Sequence, residues 1–416
     1  MPDTTQMLRA LPSMLSGEQL KQELADLPAY TGEIREKDPA ARLLGLSDLY
    51  RVYVPSRMSA EIYSKLYLAM IRSLQKKGTK LAVEQRNENA KGVHGQEYRG
   101  ILGGSDSFTI IGTSGIGKSS AISRAISLIA GNRILEVQEP YTRVVPCITA
   151  QCPFDSSVKG MLLEILRKID EALDSRYYET ALRSRATTDM LIGSVSQAAL
   201  NHIGLLVVDE IQNVVNSRSG KSLIGALTQL INNSGISICM VGTPECMPFF
   251  ESAMQLARRS LGLQYGPMGY DEGFRELCET LFRYQYVKEK AEITPAILEW
   301  LYEHSGGILS VVVSLLHDAQ EIAILTGREV LDLEALRHAY QQRMGLMHDY
   351  IRPAQGRQTS RKKKEGNTPE IAGAAEKPGE EVPAYSLEQM ADRARREGLD
   401  VVRLFREQIP IEEVAV

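Results

Sequence analysis

The residues best suited to chemistry form a short glycine-rich run. It has the pattern Gly-x4-Gly-Lys-Ser and comprises Gly112, Thr113, Ser114, Gly115, Ile116, Gly117, Lys118 and Ser119. In this pattern the glycines let backbone N–H groups turn toward phosphates, the lysine reaches the β- and γ-phosphates, and the serine hydroxyl ligates magnesium. We therefore predict that these residues, with Ser120, bind ATP and Mg²⁺ and that Ser119 is a metal ligand.

Three further polar residues each follow a strongly apolar run. Asp209 and Glu210 follow residues 205–208, and Thr243 follows residues 236–242. Asp209 is suited to orient Mg²⁺ through its water shell, and Glu210 is suited to polarise an attacking water. Thr243 is predicted to position that water near the γ-phosphate. The alternatives are a solvated acidic pair and an ordinary threonine at a strand end.

The elements that must hold these residues alternate between strand and helix. Residues 108–111 are β-prone and end at Gly112, and apolar residues recur at helical spacing after Lys118. Residues 143–148 predict a second strand, followed by a helix over 158–173. Nearly continuous apolar strands are typical of a parallel sheet, which carries its chemistry at the carboxyl edge. The predicted fold class is α/β, with a parallel sheet flanked by helices.

The remaining segments differ in composition. Residues 1–45 are predicted to form an N-terminal extension, and residues 46–288 to form the α/β nucleotide-binding core. Within that core we predict a helix over 59–74 and a loop over 76–104. Residues 289–348 are predicted to form a small helical lid. Residues 349–416 are rich in Pro, Gly, Glu and Lys and predict a mostly disordered tail. Within that tail, residues 386–405 open with a capping box and predict a helix that binds a partner.

Bulk composition excludes several classes of protein. The 416 residues carry a formal net charge of −4, which argues against a protein that coats nucleic acid by bulk charge. Five cysteines lack zinc or redox spacing and six histidines are scattered, so no transition-metal site is expected. No run approaches the length of a membrane span and no secretory signal opens the chain. We expect a cytoplasmic protein without a membrane partner.

Two adjacent arginines have a separate predicted role. Arg258 and Arg259 lie at the end of a probable helix after the strand that precedes Thr243. A guanidinium stabilises charge in phosphoryl transfer, so one of them could act as an arginine finger in the site of a neighbouring subunit. A solvated basic helix end is the alternative.

Six segments together resemble the TnsC family. They are the loop 112–119 and residues 151–160, 209–213, 241–243, 257–259 and 305–308, within a resemblance that spans about Leu46 to Met344. TnsC proteins are AAA+ P-loop ATPases that regulate cut-and-paste bacterial transposons, including CRISPR-associated ones. The resemblance implies an ATP-loaded homo-oligomer, ring or helical, on double-stranded DNA without sequence preference. It also implies two partners, the transposase subunits and a target-selector protein of the TniQ or TnsD type.

The resemblance also implies roles for individual residues. It implies that the residues that bind and hydrolyse the nucleotide are Lys118, Ser119, Asp209, Glu210 and Thr243. It also implies that Arg258 or Arg259 is an arginine finger that acts in the site of a neighbouring subunit. The segment after the second strand faces DNA in this family, which makes Lys159, Arg167 and Lys168 candidate contacts. No arginine follows Gly306 and Gly307, where many AAA+ relatives place a second γ-phosphate sensor.

Other functions remain to be distinguished. A helicase loader or replication initiator has a similar core and also binds DNA. A small-molecule kinase shares the phosphate loop, but the Asp-Glu-Ile-Gln sequence at 209–212 and the helical second unit argue against it.

Overall fold

Six strands form the sheet at the centre of the chain. The computed structural model describes residues 4–102, 107–130, 133–138, 141–215, 217–252 and 262–344, all within one unit, Met1–Gly356. The strands are β1 (Phe108–Gly112), β2 (Leu135–Val137), β3 (Thr142–Gln151), β4 (Ile203–Asp209), β5 (Ser237–Gly242) and β6 (Leu263–Tyr265). Their order is β2-β3-β4-β5-β1-β6. All neighbours pair in parallel except β2, which runs antiparallel to β3.

The strand register brings three strand ends to one edge. Gln151 of β3 pairs with Asp209 of β4, Val208 of β4 pairs with Met240 of β5, and β1 lies beside β5. The turn after β1, the end of β4 and the end of β5 therefore meet, as the sequence predicts for a parallel sheet.

Fifteen α-helices surround the sheet and extend it within the described residues. They are α1 (Thr4–Arg9), α2 (Gly17–Leu24), α3 (Pro39–Gly45), α4 (Arg57–Lys77), α5 (Lys80–Val93), α6 (Lys118–Ala130), α7 (Val158–Leu173), α8 (Tyr177–Arg183), α9 (Thr188–His202), α10 (Gly220–Ser234), α11 (Met247–Ser252), α12 (Glu272–Phe282), α13 (Pro295–Ser305), α14 (Leu309–Thr326) and α15 (Leu333–Ala339). Short 3-10 helices span Gly32–Glu36, Leu46–Tyr50, Ile211–Val214 and Pro244–Cys246, and a π-helical turn spans Tyr340–Met344.

The two faces of the sheet bury separate clusters. Alternate strand residues such as Leu206 and Val208 pack with α7, α9 and α10, while Leu205 and Val207 pack with α4 and α6. Because both faces are covered, the strands are apolar at nearly every position. This arrangement confirms the predicted α/β class with its flanking helices.

The expectation of a loop over residues 76–104 is wrong, because α4 extends to Lys77 and α5 occupies Lys80–Val93. This helix buries polar side chains, so it shows no apolar stripe in the sequence. Gln85 donates to Asn89 (3.0 Å) and accepts from the N–H of Ile101 (2.5 Å), so its polar atoms are satisfied. A Cβ on Gly193 of α9 would lie 2.6 Å from the backbone of Gly92. Glycine at position 193 therefore permits the close approach of α5 and α9.

The first residues pack more extensively than an extension would. Met7 and Leu11, together with Leu20 and Leu24 of α2, are buried against α4 and α6. Helices α1 and α2 have six and eight residues, which is too short for their apolar periodicity to stand out in the sequence.

The last helices, which include the predicted lid, pack around a third cluster. Helices α12 to α15 pack together, and Leu46 and Leu49 from the N-terminal segment join their core. Among the described helices, α14 has the length and mean hydropathy (1.4) that a membrane span needs. Because 56% of it is buried inside the structure, this helix also fits the description of a core helix.

Candidate nucleotide site

The glycine-rich run forms the turn between β1 and α6. Gly115 and Gly117 have φ angles of +82° and +93°, which other residues rarely adopt, so the loop needs glycine at both positions. The Lys118 Nζ donates hydrogen bonds to the carbonyl oxygens of Gly112 (2.7 Å) and Thr113 (2.9 Å). Burial lowers the pKa of Lys118, and nearby carboxylates oppose that shift. A phosphate in this loop would meet a partly desolvated ammonium, which strengthens their attraction.

Ser119, in the first turn of α6, lies against the last residue of β4. Its Oγ donates to Asp209 Oδ2 over 3.1 Å. The other carboxylate oxygen, Oδ1, accepts the N–H of Glu210 at 2.8 Å. A hydroxyl and a carboxylate side by side are hard oxygen ligands of the kind that Mg²⁺ selects. Ser119 and Asp209 therefore fit the metal that the loop pattern predicts.

Glu210 stands at a sharp turn in the backbone. Its φ of 58° and ψ of 35° lie in the left-handed region, which costs a residue other than glycine about 1–3 kcal/mol. This turn ends β4 abruptly and leaves the Glu210 carboxylate on the wall of the cavity beside the loop. The Gln212 amide Nε2 donates to Glu210 Oε2. The Gln212 Oε1 is buried and accepts no hydrogen bond from the described residues.

A pair of hydrogen bonds fixes the end of β4 against the end of β3. The Asn213 side chain donates to the carbonyl oxygen of Cys152 (2.9 Å), and the Cys152 N–H donates to the carbonyl oxygen of Asp209 (2.8 Å). The 209–213 sequence therefore works as one unit, in which Gln212 and Asn213 position the acidic pair. Sequence reasoning treats these two residues only as marks of family resemblance.

Thr243 follows β5 and contributes to the same cavity. Its hydroxyl donates to the Glu245 carboxylate, and this hydrogen bond is the main reason that the pKa of Glu245 is lowered. Lys118 lowers the Glu245 pKa as well. Glu245 is a residue that sequence reasoning missed, because only the Thr-Pro-Glu turn after β5 brings it back toward the loop.

One cavity of about 710 Å³ joins these residues. Its opposite wall comes from the N-terminal segment, where Tyr50 and Tyr53 offer aromatic surfaces. Arg124 of α6 lies 5.7 Å from the centre of the Tyr53 ring and forms an ion pair with Asp26. Nothing in the sequence marks this wall, because it begins about sixty residues before the loop that it faces. An aromatic and apolar wall suits the base of a nucleotide.

The lid touches the phosphate loop directly. The N–H of Ser310, in the first turn of α14, donates to the carbonyl oxygen of Gly115 at 3.0 Å. A Cβ on Gly115 would come within 2.3 Å of Ser310 Oγ. The lid thus contacts the loop through a serine, in the segment where an arginine is missing from the AAA+ pattern.

The candidate DNA contacts all lie on α7 but differ in their partners. Arg167 is paired with Glu164 and Glu171 of the same helix, and Lys168 is paired with Glu171 at 3.0 Å. Lys159, in the first turn, is exposed and has no salt-bridge partner in the described part of the chain. Lys159 is therefore the best placed of the three to meet an external anion.

Several predicted residues lie outside the described ones. These are Arg258, Arg259, the tail over 349–416 and its helix over 386–405.

No transition-metal centre emerges from the residues that are described. The one group with suitable ligands, His317, Asp318 and Glu321, already faces the cation of Arg343, which pairs with both carboxylates. The five cysteines are free thiols, and burial raises the pKa of Cys152 to about 11.

Residues 102–250 match the family model described as an AAA domain. The chain has the AAA+ P-loop NTPase fold. The same match supports an AAA+ ATPase, and the matched range includes the glycine-rich loop, Asp209 and Glu210. No curated protein matches the chain.

Solved structures that are similar to the chain include two with DNA. One is the ORC1 protein of Aeropyrum pernix in complex with DNA, at 16% identity and a TM-score of 0.41, covering 63% of this chain and 64% of that one. The chain thus spans less than two thirds of that protein's length. The other is Drosophila ORC bound to DNA, at 14% identity and a TM-score of 0.45, covering 97% of this chain and 84% of that one.

Proposed function

We propose that the chain is an ATP-dependent regulator of DNA transposition. It assembles with ATP as a homo-oligomer on double-stranded DNA, links target selection to the transposase, and comes apart when ATP is hydrolysed. The observation that carries the proposal is the convergence of Lys118, Ser119, Asp209, Glu210 and Thr243 on one cavity. That cavity supports an ATPase, and the TnsC-like motifs assign the ATPase to transposition.

Each side chain in the cavity has a different role in ATP hydrolysis. Lys118 exchanges its two backbone acceptors for oxygens of the β- and γ-phosphates. Mg²⁺ held by Ser119 and Asp209 would neutralise charge on the transferred phosphoryl group. Glu210 accepts a proton from the attacking water. Thr243 donates its own hydrogen to Glu245, so its oxygen is left to accept a hydrogen bond from that water.

Assembly completes the site. Arg258 or Arg259 supplies a guanidinium to the nucleotide of a neighbouring subunit, where it stabilises the charge that develops in phosphoryl transfer. A shared site of this kind makes hydrolysis depend on the oligomer, and it therefore ties disassembly to turnover.

The DNA surface extends beyond α7. The loop before α10 contacts the loop before α7, because Ser217 Oγ donates to the carbonyl oxygen of Asp155 at 2.7 Å. Arg218 and Lys221 follow that contact, and both are exposed, as is Lys159. Within the described ranges none of these three cations has a salt-bridge partner. Such cations bind the phosphate backbone and carry no base preference.

The protein partners are the transposase subunits and a target selector of the TniQ or TnsD type, met in the cytoplasm. The tail beyond residue 349 is proposed to tether the transposase through residues 386–405, whose capping box and apolar anchors suit a segment that folds on binding.

Fluorescence anisotropy of a labelled DNA duplex tests the proposal. Binding should require ATP or a non-hydrolysable analogue and should be independent of sequence. The Lys159→Ala, Lys221→Ala double variant should weaken binding and reduce the slope of log K against log salt by about two, because each lost phosphate contact removes close to one unit. Arg167→Ala is the control, since its guanidinium is already paired on its own helix.

The identity of the protein that the DNA-bound chain retains distinguishes a transposition regulator from a helicase loader. Purified transposase should be retained by the ATP-bound chain on DNA, and a replicative helicase should not. Retention of the helicase alone would replace the proposal with a loader function. Tight DNA binding without nucleotide would contradict both.

A further inference from the structure

A second cavity lies at the edge of the sheet opposite to the phosphate loop. It has a volume of about 520 Å³ and lies where β3 and β4 begin, between α5 and the junction of α7 with α8. Its polar lining includes Arg86, Tyr141, Arg143, Tyr177, Asn201 and His202. No carboxylate lines it among the residues that the structure describes. The nucleotide site does not account for this cavity.

Within the described chain, the hydrogen bonds from two guanidinium groups of the cavity all go to neutral acceptors. Arg86 donates from Nε to Asn201 Oδ1 (3.0 Å) and from Nη2 to the carbonyl oxygen of Lys77 (3.3 Å). Arg143 donates from Nη1 to the carbonyl oxygen of Leu173 at 2.8 Å. Its Nε is buried and has no hydrogen-bond partner within the described chain. A buried donor of this kind costs free energy unless a ligand or water satisfies it.

Positive charge around this cavity is poorly compensated. Glu136 approaches Arg143, but its Oε1 lies 3.8 Å from Nε, beyond hydrogen-bond distance. The buried Lys77 ammonium donates to the carbonyl oxygens of Ala199 (2.8 Å) and Leu200 (2.7 Å) and meets no carboxylate in the described structure. Burial lowers the pKa of Lys77, and the charge of Arg86 lowers it further.

His202 forms a neutral floor to the cavity. Its Nδ1 lies 2.8 Å from the carbonyl oxygen of Arg143, so Nδ1 must carry the hydrogen. Its Nε2 then accepts a hydrogen bond from the Tyr177 hydroxyl at 3.0 Å. Burial lowers the pKa of His202, and the charges of Lys77 and Arg143 act in the same direction. Histidine and tyrosine therefore satisfy one another, which leaves the guanidinium groups for a ligand.

We propose that this cavity is a second ligand site, which binds a small organic anion with its phosphate or carboxylate group between Arg86 and Arg143. Guanidinium groups bind both oxyanions through paired N–H donors. Val83 and Leu173 supply apolar surface for the rest of the ligand. The volume is that of an ordinary small-molecule site. The ligand is separate from ATP, because the phosphate loop lies at the other edge of the sheet.

Equilibrium dialysis with labelled inorganic pyrophosphate tests this site. The full-length Lys118→Ala variant serves as the background, because the phosphate loop itself would otherwise bind the probe. We expect one saturable site per chain, with an affinity that falls by about tenfold or more in Arg86→Gln and in Arg143→Gln, as charged hydrogen bonds are lost. Arg183→Gln is the matched control, since that arginine is exposed and paired with Glu179, and it should leave the affinity unchanged.

A further variant separates loss of the ligand site from unfolding of the protein. Val83→Glu breaks no hydrogen bond but adds a negative charge to the cavity wall, so it should weaken pyrophosphate binding while circular dichroism stays unchanged. Competition by citrate would extend the ligand class to carboxylates, and failure of citrate would restrict it to phosphates; both results support the site. Absence of saturable binding, or equal affinity in Arg86→Gln, Arg143→Gln and Arg183→Gln, would overturn it.

Discussion

Gln212 determines where the Glu210 carboxylate stands, because its amide is the donor to Glu210 Oε2. We predict that Gln212→Ala lowers the ATP turnover number by about tenfold or more, since a misplaced base loses part of its 10²–10⁴-fold contribution. The affinity for ATP should change little, because Lys118 and Ser119 are untouched. Gln212→Glu should be no better, since it sets one carboxylate against another. A turnover number within twofold of wild type in Gln212→Ala would refute this role.

For individual residues, the sequence predicts the groups that take part in hydrolysis better than the neighbouring side chains that position those groups. Asp209, Glu210 and Thr243 can be picked out because each ends a buried parallel strand, and the strand register then brings them to one edge. The positions of Gln212 and Glu245 depend on turns that follow those strands, above all the left-handed backbone of Glu210. No hydrophobic periodicity in the sequence predicts such a turn.

Among the elements, α3 is tied to the lid by a buried ion pair. The Arg42 guanidinium is fully buried and donates to both carboxylate oxygens of Glu329, at 2.5 and 2.7 Å. It also donates to the carbonyl oxygen of Tyr286 at 3.0 Å. The N-terminal segment, which supplies one wall of the nucleotide cavity, is therefore fastened to the helices that supply another.

We predict that Arg42→Met lowers the free energy of unfolding by about 1.5–3 kcal/mol, because the partly buried Glu329 carboxylate loses its cation and two charged hydrogen bonds. The Arg42→Met, Glu329→Met double variant should lose much less than the sum of the two single changes. Arg328→Met is the control, since its ion pairs with Asp332 and Glu334 lie at the surface and contribute little to stability. Urea titration measures all four variants, and additive losses would contradict the coupling.

The elements that the sequence predicts are those with apolar faces or clear caps. The helix predicted over 158–173 is confirmed by α7, and α13 begins at a clear cap, where Thr294 accepts the N–H of Ile297. Helix α5 escapes prediction because its buried side chains are glutamine and asparagine. The short strands β2 and β6 contain three residues each, which is too few for an alternating pattern.

For the whole molecule, the compact unit that holds every described residue ends at Gly356. We predict that truncation after Gly356 keeps ATP hydrolysis within about twofold of the full chain, since every described residue that lines the nucleotide cavity lies at or before Ser314. Retention of the transposase in a pull-down should be lost. Leu404→Asp with Phe405→Asp in the full chain should have the same selective effect. Failure of the truncated chain to hydrolyse ATP would place the tail in the catalytic unit.

The nucleotide cavity itself is a property of the whole molecule. Its walls come from the N-terminal segment, the sheet edge and the first turn of α14, and they include residues as far apart in sequence as Asp26 and Ser310. The sequence predicts the sheet edge, because local patterns mark it. It gives no sign of the contact between Ser310 and Gly115, because that contact depends on how the lid packs.

The lifetime of the protein–DNA complex after ATP is withdrawn tests most directly the claim that this site builds and dissolves an assembly. Wild type should assemble on a duplex with ATP and then dissociate as it hydrolyses the bound nucleotide. Glu210→Gln should assemble equally well and outlast wild type by about tenfold or more, because it binds ATP but cannot activate water. Lys118→Ala should form no complex. Equal lifetimes for wild type and Glu210→Gln, or normal assembly by Lys118→Ala, would contradict the account.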